Sequence, residues 1–358
     1  MPFSHGHALV IGVGSYQHEP RLNVPITVAD AQAVASVLRD PRFCGYPEPQ
    51  VTLLTDTEAT RKSILAALDN LAQRAQSTDT VFIFFSGHGE YSADRVYQLT
   101  THDTRMTENR EVIHGTAISQ TELIERLRAI QAGRLFLLIN ACHAGELSPV
   151  LSGSPFTGQP LPQNVASAAL ATGSGRFIIT ACREGQVAYI GPGPLTIFAQ
   201  ALTDGLRGQG LSGRAGYISI FDLYTHLYFA VREAVEQHVP TAMKQIFGAT
   251  QEPELTALKG VGPCPVALYR GATSPGDFPT DHTLPDRAAV RWVKPDRSQW
   301  ALQQIGDRNV NVSDSVTNSP IITGDNNIVG NITTGNVSGT GIAIGHQAQA
   351  RTSQSGSE

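Results

Sequence analysis

Unbroken apolar runs constrain this chain more than any other feature. Residues 81–85 and 135–139 are apolar throughout, and 8–13 is interrupted only by Gly12. Such a run has no polar face to offer water, so as a strand it must be covered on both sides, the situation of a parallel sheet between two helical layers. The segments between the runs have the period of helices. Within 27–40, Ala31, Val34, Ala35 and Leu38 fall at i, i+3, i+4 and i+7, with Thr27 as expected N-cap and Pro41 closing the segment. Within 60–76, Ile64, Leu65, Leu68 and Leu71 share a face. Ser119 followed by Glu122 is a capping-box signature for a helix reaching about residue 131. Further strands are expected at 51–54, 177–181 and 266–269, and helices near 195–206 and 219–236. Alternation of this kind predicts an α/β fold with a mostly parallel central sheet flanked by helices.

Composition narrows the function classes. Twenty-six Lys and Arg against 31 Asp and Glu give a net charge of −5, and no basic run is present to track phosphates, so nucleic acid is a poor partner. No stretch approaches the roughly 18 apolar residues of a membrane span, and the early apolar run is too short for a signal-peptide core. A soluble, cytoplasmic protein with no membrane partner is expected. The four cysteines, at 44, 142, 182 and 264, show neither CxxC pairing nor a dense disulfide framework. Gly12-Val13-Gly14 is not followed by a third glycine at Gln17, and no GxxxxGK[ST] occurs, which disfavours a nucleotide-binding reading.

Two of the apolar runs end in reactive-looking loops. The run at 81–85 opens into Ser86-Gly87-His88-Gly89, and the run at 135–139 opens into Asn140-Ala141-Cys142-His143-Ala144-Gly145. In open parallel sheets ligands bind outside the carboxyl ends of strands, so both loops are expected to face one site. A cysteine nucleophile needs thiolate character and access, which an imidazole and small neighbours provide. Cys142 has both, with His88 lying 54 residues upstream. The amides of Gly89 and Cys142 are the expected oxyanion donors, an arrangement suited to acyl transfer. Taken singly, a His between glycines can merely cap a strand and a buried Cys can merely pack; their order and spacing together favour a Cys/His hydrolase. His143, next to the nucleophile, is expected to point away from it, and Cys182, in Thr180-Ala181-Cys182, to be a packed or pocket-wall residue.

These two blocks resemble the signature motifs of the caspase and metacaspase clan of cysteine peptidases, especially its bacterial metacaspase-like branch. The resemblance spans roughly residues 5–270 and includes Ile11-Gly12, Ala29-Asp30-Ala31 and the stretch from Leu99 to Asp103. It implies a caspase-haemoglobinase fold and hydrolysis of polypeptide substrates through a thioester, with Cys142 as nucleophile, His88 as general acid/base and no required cofactor. It further implies a substrate pocket containing Asp30, Ser86 and Asn140. Metacaspases commonly carry Asp where this chain has Asn140, so one carboxylate, Asp30, is left to favour Arg or Lys at P1. Asp specificity is not expected, because the caspase pattern of Gln and Arg around the nucleophile is missing. Asp94 and Asp103 are candidates for a calcium site like that of some metacaspases, with solvated loop carboxylates as the plainer alternative. A bacterial suicide or antiphage role is suggested by resemblance alone, and a catalytically silent caspase-like scaffold is the competing reading.

Residues 144–175 contain one charge, Glu146, and no Arg, Lys or Asp, so a connection without regular structure is expected there, left uncut and ordered by an activating ligand or partner. Arg207 and Arg214, in a glycine-rich loop, are better sites for a nick. The expected organisation is a peptidase domain over 1–270, a Pro-rich linker over 271–304 and a tail over 305–358. Of the tail's 54 residues, 28 are Gly, Asn, Ser or Thr and none is aromatic, yet Gly306-Asp307-Arg308-Asn309-Val310 is nearly repeated at Gly324-Asp325-Asn326-Asn327-Ile328. Small β-repeats that bury a core only by self-association, making a homo-oligomer, are expected, against the alternative of a disordered polar tail.

Overall fold

The structure is a computed structural model describing residues 3–141, 161–170, 175–211, 216–258 and 264–269, together with four two-residue strands nearer the C-terminus. The chain divides into two units, Met1–Leu284 and Pro285–Glu358.

The first unit begins with β1 (Gly6–Gly12), α1 (Ile26–Arg39), β2 (Val51–Thr55), α2 (Arg61–Arg74) and β3 (Thr80–Ser86). A small antiparallel sheet follows, made of β4 (Gly89–Tyr91), β5 (Tyr97–Leu99) and β6 (Ile118–Ser119). Then come α3 (Gln120–Ala129), β7 (Arg134–Asn140), α4 (Gln163–Leu170), β8 (Arg176–Thr180) and α5 (Ile197–Leu206). The unit continues with β9 (Tyr217–Ser219), α6 (Ile220–His238), α7 (Thr241–Phe247), β10 (Glu254–Leu258) and β11 (Pro265–Leu268).

The central sheet runs β10-β8-β7-β3-β1-β2, parallel except for β10, which pairs antiparallel with β8. Its apolar runs sort by alternation, as full coverage requires. Val10, Phe82, Phe84, Phe136 and Leu138 join the layer built with α1, α5 and α6. Leu9, Ile11, Val81, Ile83, Phe85 and Leu137 join the layer built with α2 and α3. Each large side chain so buried contributes about 1.5–3 kcal/mol. Because β2 lies on one side of β1 and β3 on the other, the chain reverses direction of winding there, and in open parallel sheets the carboxyl ends of the strands at such a point are where ligands bind.

Glycines at the end of β1 belong to this packing. A Cβ on Gly12 would stand 2.7 Å from the Cβ of Ala31 and 2.7 Å from the carbonyl oxygen of Thr27, so only glycine lets α1 lie this close.

Several expectations need correction. Thr27 is inside α1, whose N-cap is Pro25; the Thr27 hydroxyl donates to the Val24 carbonyl at 3.0 Å. The segment 144–175 is not devoid of regular structure, since it contains α4, although 142–160 and 171–174 lie outside the described residues. Arg207 is the C-cap of α5, in the turn just past Leu206, with its backbone N–H bonded into the last turn; Arg214 lies outside the described residues. Strand 265–268 pairs with β9 in a separate two-stranded sheet, and the sixth strand of the main sheet is β10. The capping box at Ser119 and Glu122 is present, and Thr60 caps α2 by accepting from Ser63 N–H.

In the second unit the described strands are β12 (Asn311–Val312), β13 (Val316–Thr317), β14 (Thr333–Thr334) and β15 (Val337–Ser338), with β12 parallel to β14 and β13 parallel to β15.

Candidate active site

Parallel register brings Ser86, at the end of β3, level with Gly12 of β1 on one side and Asn140 of β7 on the other. His88 follows two residues beyond Ser86 and is fully buried. Its Nε2 lies 2.8 Å from the carbonyl oxygen of Leu22. A carbonyl only accepts, so Nε2 carries a proton, and in the neutral ring the lone pair is presented at Nδ1.

The backbone of His88 is clamped as firmly as its ring. Its carbonyl accepts from Thr100 Oγ1 at 2.8 Å and from Thr100 N–H at 3.0 Å. Its N–H donates to the Tyr16 hydroxyl at 3.3 Å, and that hydroxyl lies 3.0 Å from Thr100 Oγ1. Since the Thr100 hydroxyl proton is directed to His88, Tyr16 donates to Thr100. The Tyr16 ring sits 5.4 Å from the imidazole, tilted by 34°. Burial pushes the phenol well above its usual range, so it remains a neutral donor.

The loop bearing Tyr16 and Leu22 is itself anchored. Asp56 accepts from the N–H groups of Gly14 and Ser15 at 3.0 and 2.8 Å, and Asn23 Oδ1 accepts from Tyr16 N–H at 2.8 Å.

Asp30, Ser86 and Asn140 come together in one buried polar cluster, joined by Thr196, the N-cap of α5. Asp30 Oδ2 accepts from Ser86 Oγ at 3.0 Å, Asn140 Nδ2 at 3.0 Å and Thr196 Oγ1 at 2.9 Å, while Oδ1 accepts from Thr196 N–H at 2.9 Å. Burial pushes the Asp30 carboxyl up to about 7, against the pull of these donors. Asn140 Nδ2 is also near Ser86 Oγ and Thr196 Oγ1, whereas its Oδ1 is buried without a hydrogen-bond partner.

Gly89 is the first residue of β4 and pairs with Leu99. Next to it, Glu90 is largely desolvated, which pushes its carboxyl up to about 7 despite the opposing charge of Arg110. Cys142 and His143 lie outside the described residues. Cys182, buried just past β8, is disulfide-bonded and so is more than the packed or pocket-wall residue expected.

The calcium candidates are engaged separately. Asp103 accepts from Arg61 N–H and from Thr101 Oγ1, while Asp94 accepts from Ser92 Oγ and pairs with His114. Among the described residues no group of three or more His, Cys, Asp or Glu side chains is placed to hold a metal. No described helix is long and apolar enough to cross a membrane.

Sequence reasoning missed Tyr16, Leu22, Thr100 and Thr196. Thr196 carried a signal as a Thr opening a helix, but its contact with Asp30 spans 166 residues. Leu22 acts through its backbone carbonyl, which no residue type announces.

Comparison with known proteins gives the family. Two solved structures similar to this chain are the protein GSU0716 from Geobacter sulfurreducens and caspase-1 from Spodoptera frugiperda. The first is 17% identical, covers 75% of this chain and 98% of its own, and has a TM-score of 0.49. The second is 17% identical, covers 72% and 87%, and has a TM-score of 0.46. No curated protein sequence matches. The caspase domain of the C14 peptidases, however, matches over residues 5–259, most of the chain, and with its mostly parallel sheet between helices this chain belongs to the caspase-domain peptidase family.

Proposed function

We propose that the chain is a cysteine endopeptidase in which His88 takes the proton of the Cys142 thiol and later returns it to the leaving amine. The thiolate attacks the scissile carbonyl, the amides of Gly89 and Cys142 stabilise the oxyanion, and the resulting thioester is hydrolysed by water. No cofactor enters this chemistry, and calcium at Asp94 or Asp103 is not part of the proposal. The observation that supports it best is the imidazole itself: buried, fixed by the Leu22 carbonyl with its lone pair at Nδ1, and standing beyond β3 beside the strand that runs into Cys142.

Asp30, Ser86 and Asn140 form the substrate pocket in this reading, with a preference for Arg or Lys at P1. Regulation runs through the segment after the nucleophile or through homo-oligomers built by the tail at 305–358, joined to the peptidase domain at 1–270 by the linker at 271–304. A cytoplasmic bacterial effector with a defence role fits such regulation.

Incubating wild type and Cys142→Ala with a diverse peptide library, with and without calcium, tests the proposal. Cleavage after Arg or Lys is expected in wild type alone. Cleavage that persists in Cys142→Ala removes the mechanism, and cleavage mainly after Asp removes the pocket assignment. A wild type that cuts nothing under any condition favours the silent scaffold.

A further inference from the structure

Cys182 is held in a disulfide, for which the proposed reaction has no use. The chain has four cysteines, at 44, 142, 182 and 264. Cys44 and Cys264 are buried thiols outside any disulfide, which leaves Cys142, the proposed nucleophile, to partner Cys182.

Strand register gives the same pair independently. β7 and β8 run parallel with Ile139 level with Thr180, and Ala181 N–H carries the pairing one residue further by donating to the Ile139 carbonyl at 2.9 Å. Counting on from that register sets Ala141 level with Cys182, and Cys142 follows Ala141 directly in the chain. Adjacent strands lie about 4.8 Å apart and rise about 3.3 Å per residue, so positions one step out of register are roughly 6 Å apart between Cα atoms. A disulfide spans roughly 4.4–6.8 Å.

Cys182 is mounted to serve both redox states. Its carbonyl accepts from Thr180 Oγ1 at 3.0 Å, and the Ala181 carbonyl accepts from Gln251 Nε2 at 3.0 Å, so the backbone bearing the sulfur is pinned. As a thiol, Cys182 has an acceptor waiting in the Gln186 carbonyl, 3.6 Å from Sγ. The bridge is not needed to bring the strands together, because β7 and β8 already pair at five positions. Cys182 is 1% exposed, which leaves its partner as the point where oxidant and reductant enter.

We infer that Cys182 is the resolving partner of Cys142, and that the Cys142–Cys182 disulfide holds the peptidase inactive until a dithiol opens it. This rests on the cysteine-peptidase reading and adds to it redox control of the nucleophile. The oxidant is hydrogen peroxide. The Cys142 thiolate attacks one peroxide oxygen, the O–O bond breaks, and the departing hydroxide takes up the proton shed by the Cys142 thiol, leaving a sulfenic acid and one water. The Cys182 sulfur then attacks the sulfenic sulfur, the S–O bond breaks, and hydroxide leaves with the Cys182 proton as a second water. Both sulfurs are oxidised and the peroxide is reduced by two electrons. A dithiol reverses the change: one of its sulfurs attacks the bridge, the other closes on the first to release both cysteines, and its two protons pass to them. While bridged, Cys142 has no thiolate to attack a carbonyl, and it is kept from the sulfinic state that dithiols do not reverse.

The test uses the full chain, hydrogen peroxide, dithiothreitol and the peptide library. Trypsin, cutting after Arg134, Arg176 and Arg183, leaves Cys142 on 135–176 and Cys182 on 177–183. Peroxide-treated wild type, alkylated with iodoacetamide and digested without reductant, should yield these two peptides linked, two hydrogens lighter than their sum. Library cleavage should fall with the linked fraction, to about one-tenth of the reduced rate when about nine-tenths is linked, and dithiothreitol should restore it. After prolonged excess peroxide, dithiothreitol should restore wild type but not Cys182→Ser, each compared with its own reduced rate. Wild type without the linked pair, linked protein that still cleaves, or Cys182→Ser that recovers as fully as wild type overturns the inference and leaves the peptidase reading standing. The wild-type arms need no variant and decide the matter should Cys182→Ser not fold. Reduced wild type that cuts no peptide overturns the peptidase reading, and the inference falls with it.

Discussion

The burial of Asp30 has a consequence for stability that can be measured without any substrate. In the unfolded chain its carboxyl titrates near 3.8, and in the folded protein burial raises it to about 7. Between those two values the native state binds a proton that the unfolded state has released, so stability falls as pH rises, and it stops falling once the native carboxyl has ionised. At 1.36 kcal/mol per pH unit, the two units between pH 5 and 7 correspond to a loss of about 2–3 kcal/mol from this one group, a large part of the roughly 5–15 kcal/mol that holds a domain folded. Urea denaturation of wild type and Asp30→Asn at pH 5, 6, 7 and 8 isolates it. Asn at position 30 retains an oxygen for Thr196 N–H but sets an amide against the Ser86, Asn140 and Thr196 donors, a penalty that does not vary with pH. Glu90, also near 7, contributes equally to both proteins and cancels. The wild-type advantage should therefore shrink by about 2–3 kcal/mol from pH 5 to pH 8. Parallel stability curves would refute the reasoning. So would a wild-type advantage that grows with pH, the behaviour of a carboxylate paired with a cation.

Tyr16→Phe removes a hydroxyl that both donates to Thr100 and accepts from His88 N–H; it should cost about 1–3 kcal/mol in denaturation. If the clamp positions the imidazole, kcat/KM should also fall about tenfold with a displaced pH profile, whereas a merely structural role would leave the profile in place. Gly12→Val should destabilise the fold by about 1–3 kcal/mol or more, because the added Cβ meets the Thr27 carbonyl and the Ala31 methyl at 2.7 Å and neither is a flexible chain end. Size-exclusion chromatography of the full chain against one ending near residue 300 tests assembly by the tail; elution of both as monomers under activating conditions sinks that role.

What the amino-acid order disclosed and what it withheld divide along one physical line. β3 and β7 were legible because a strand covered on both faces must be apolar throughout, a condition each run states by itself. β10 was not, because Glu254-Leu255-Thr256-Ala257-Leu258 lies at the sheet edge and pairs only with β8, so it needs no such uniformity. The helix α4 escaped notice because Ser, Ala and Asn fill it in a stretch whose Gly and Pro suggest a loop. The clamp on His88 and the cluster around Asp30 were hidden for a different reason. Tyr16 and Thr100, or Asp30 and Thr196, announce ordinary roles one at a time, and their partners come from elements far apart in the chain. Whether Asp30 is charged depends on the lack of a basic side chain at the facing ends of β1, β3, β7 and α5. That is a property of the assembled neighbourhood and of no single segment. Resemblance pointed to Asp30, Ser86 and Asn140, and the structure gathers them into one buried cluster in which desolvation raises the Asp30 carboxyl against the pull of its neutral donors.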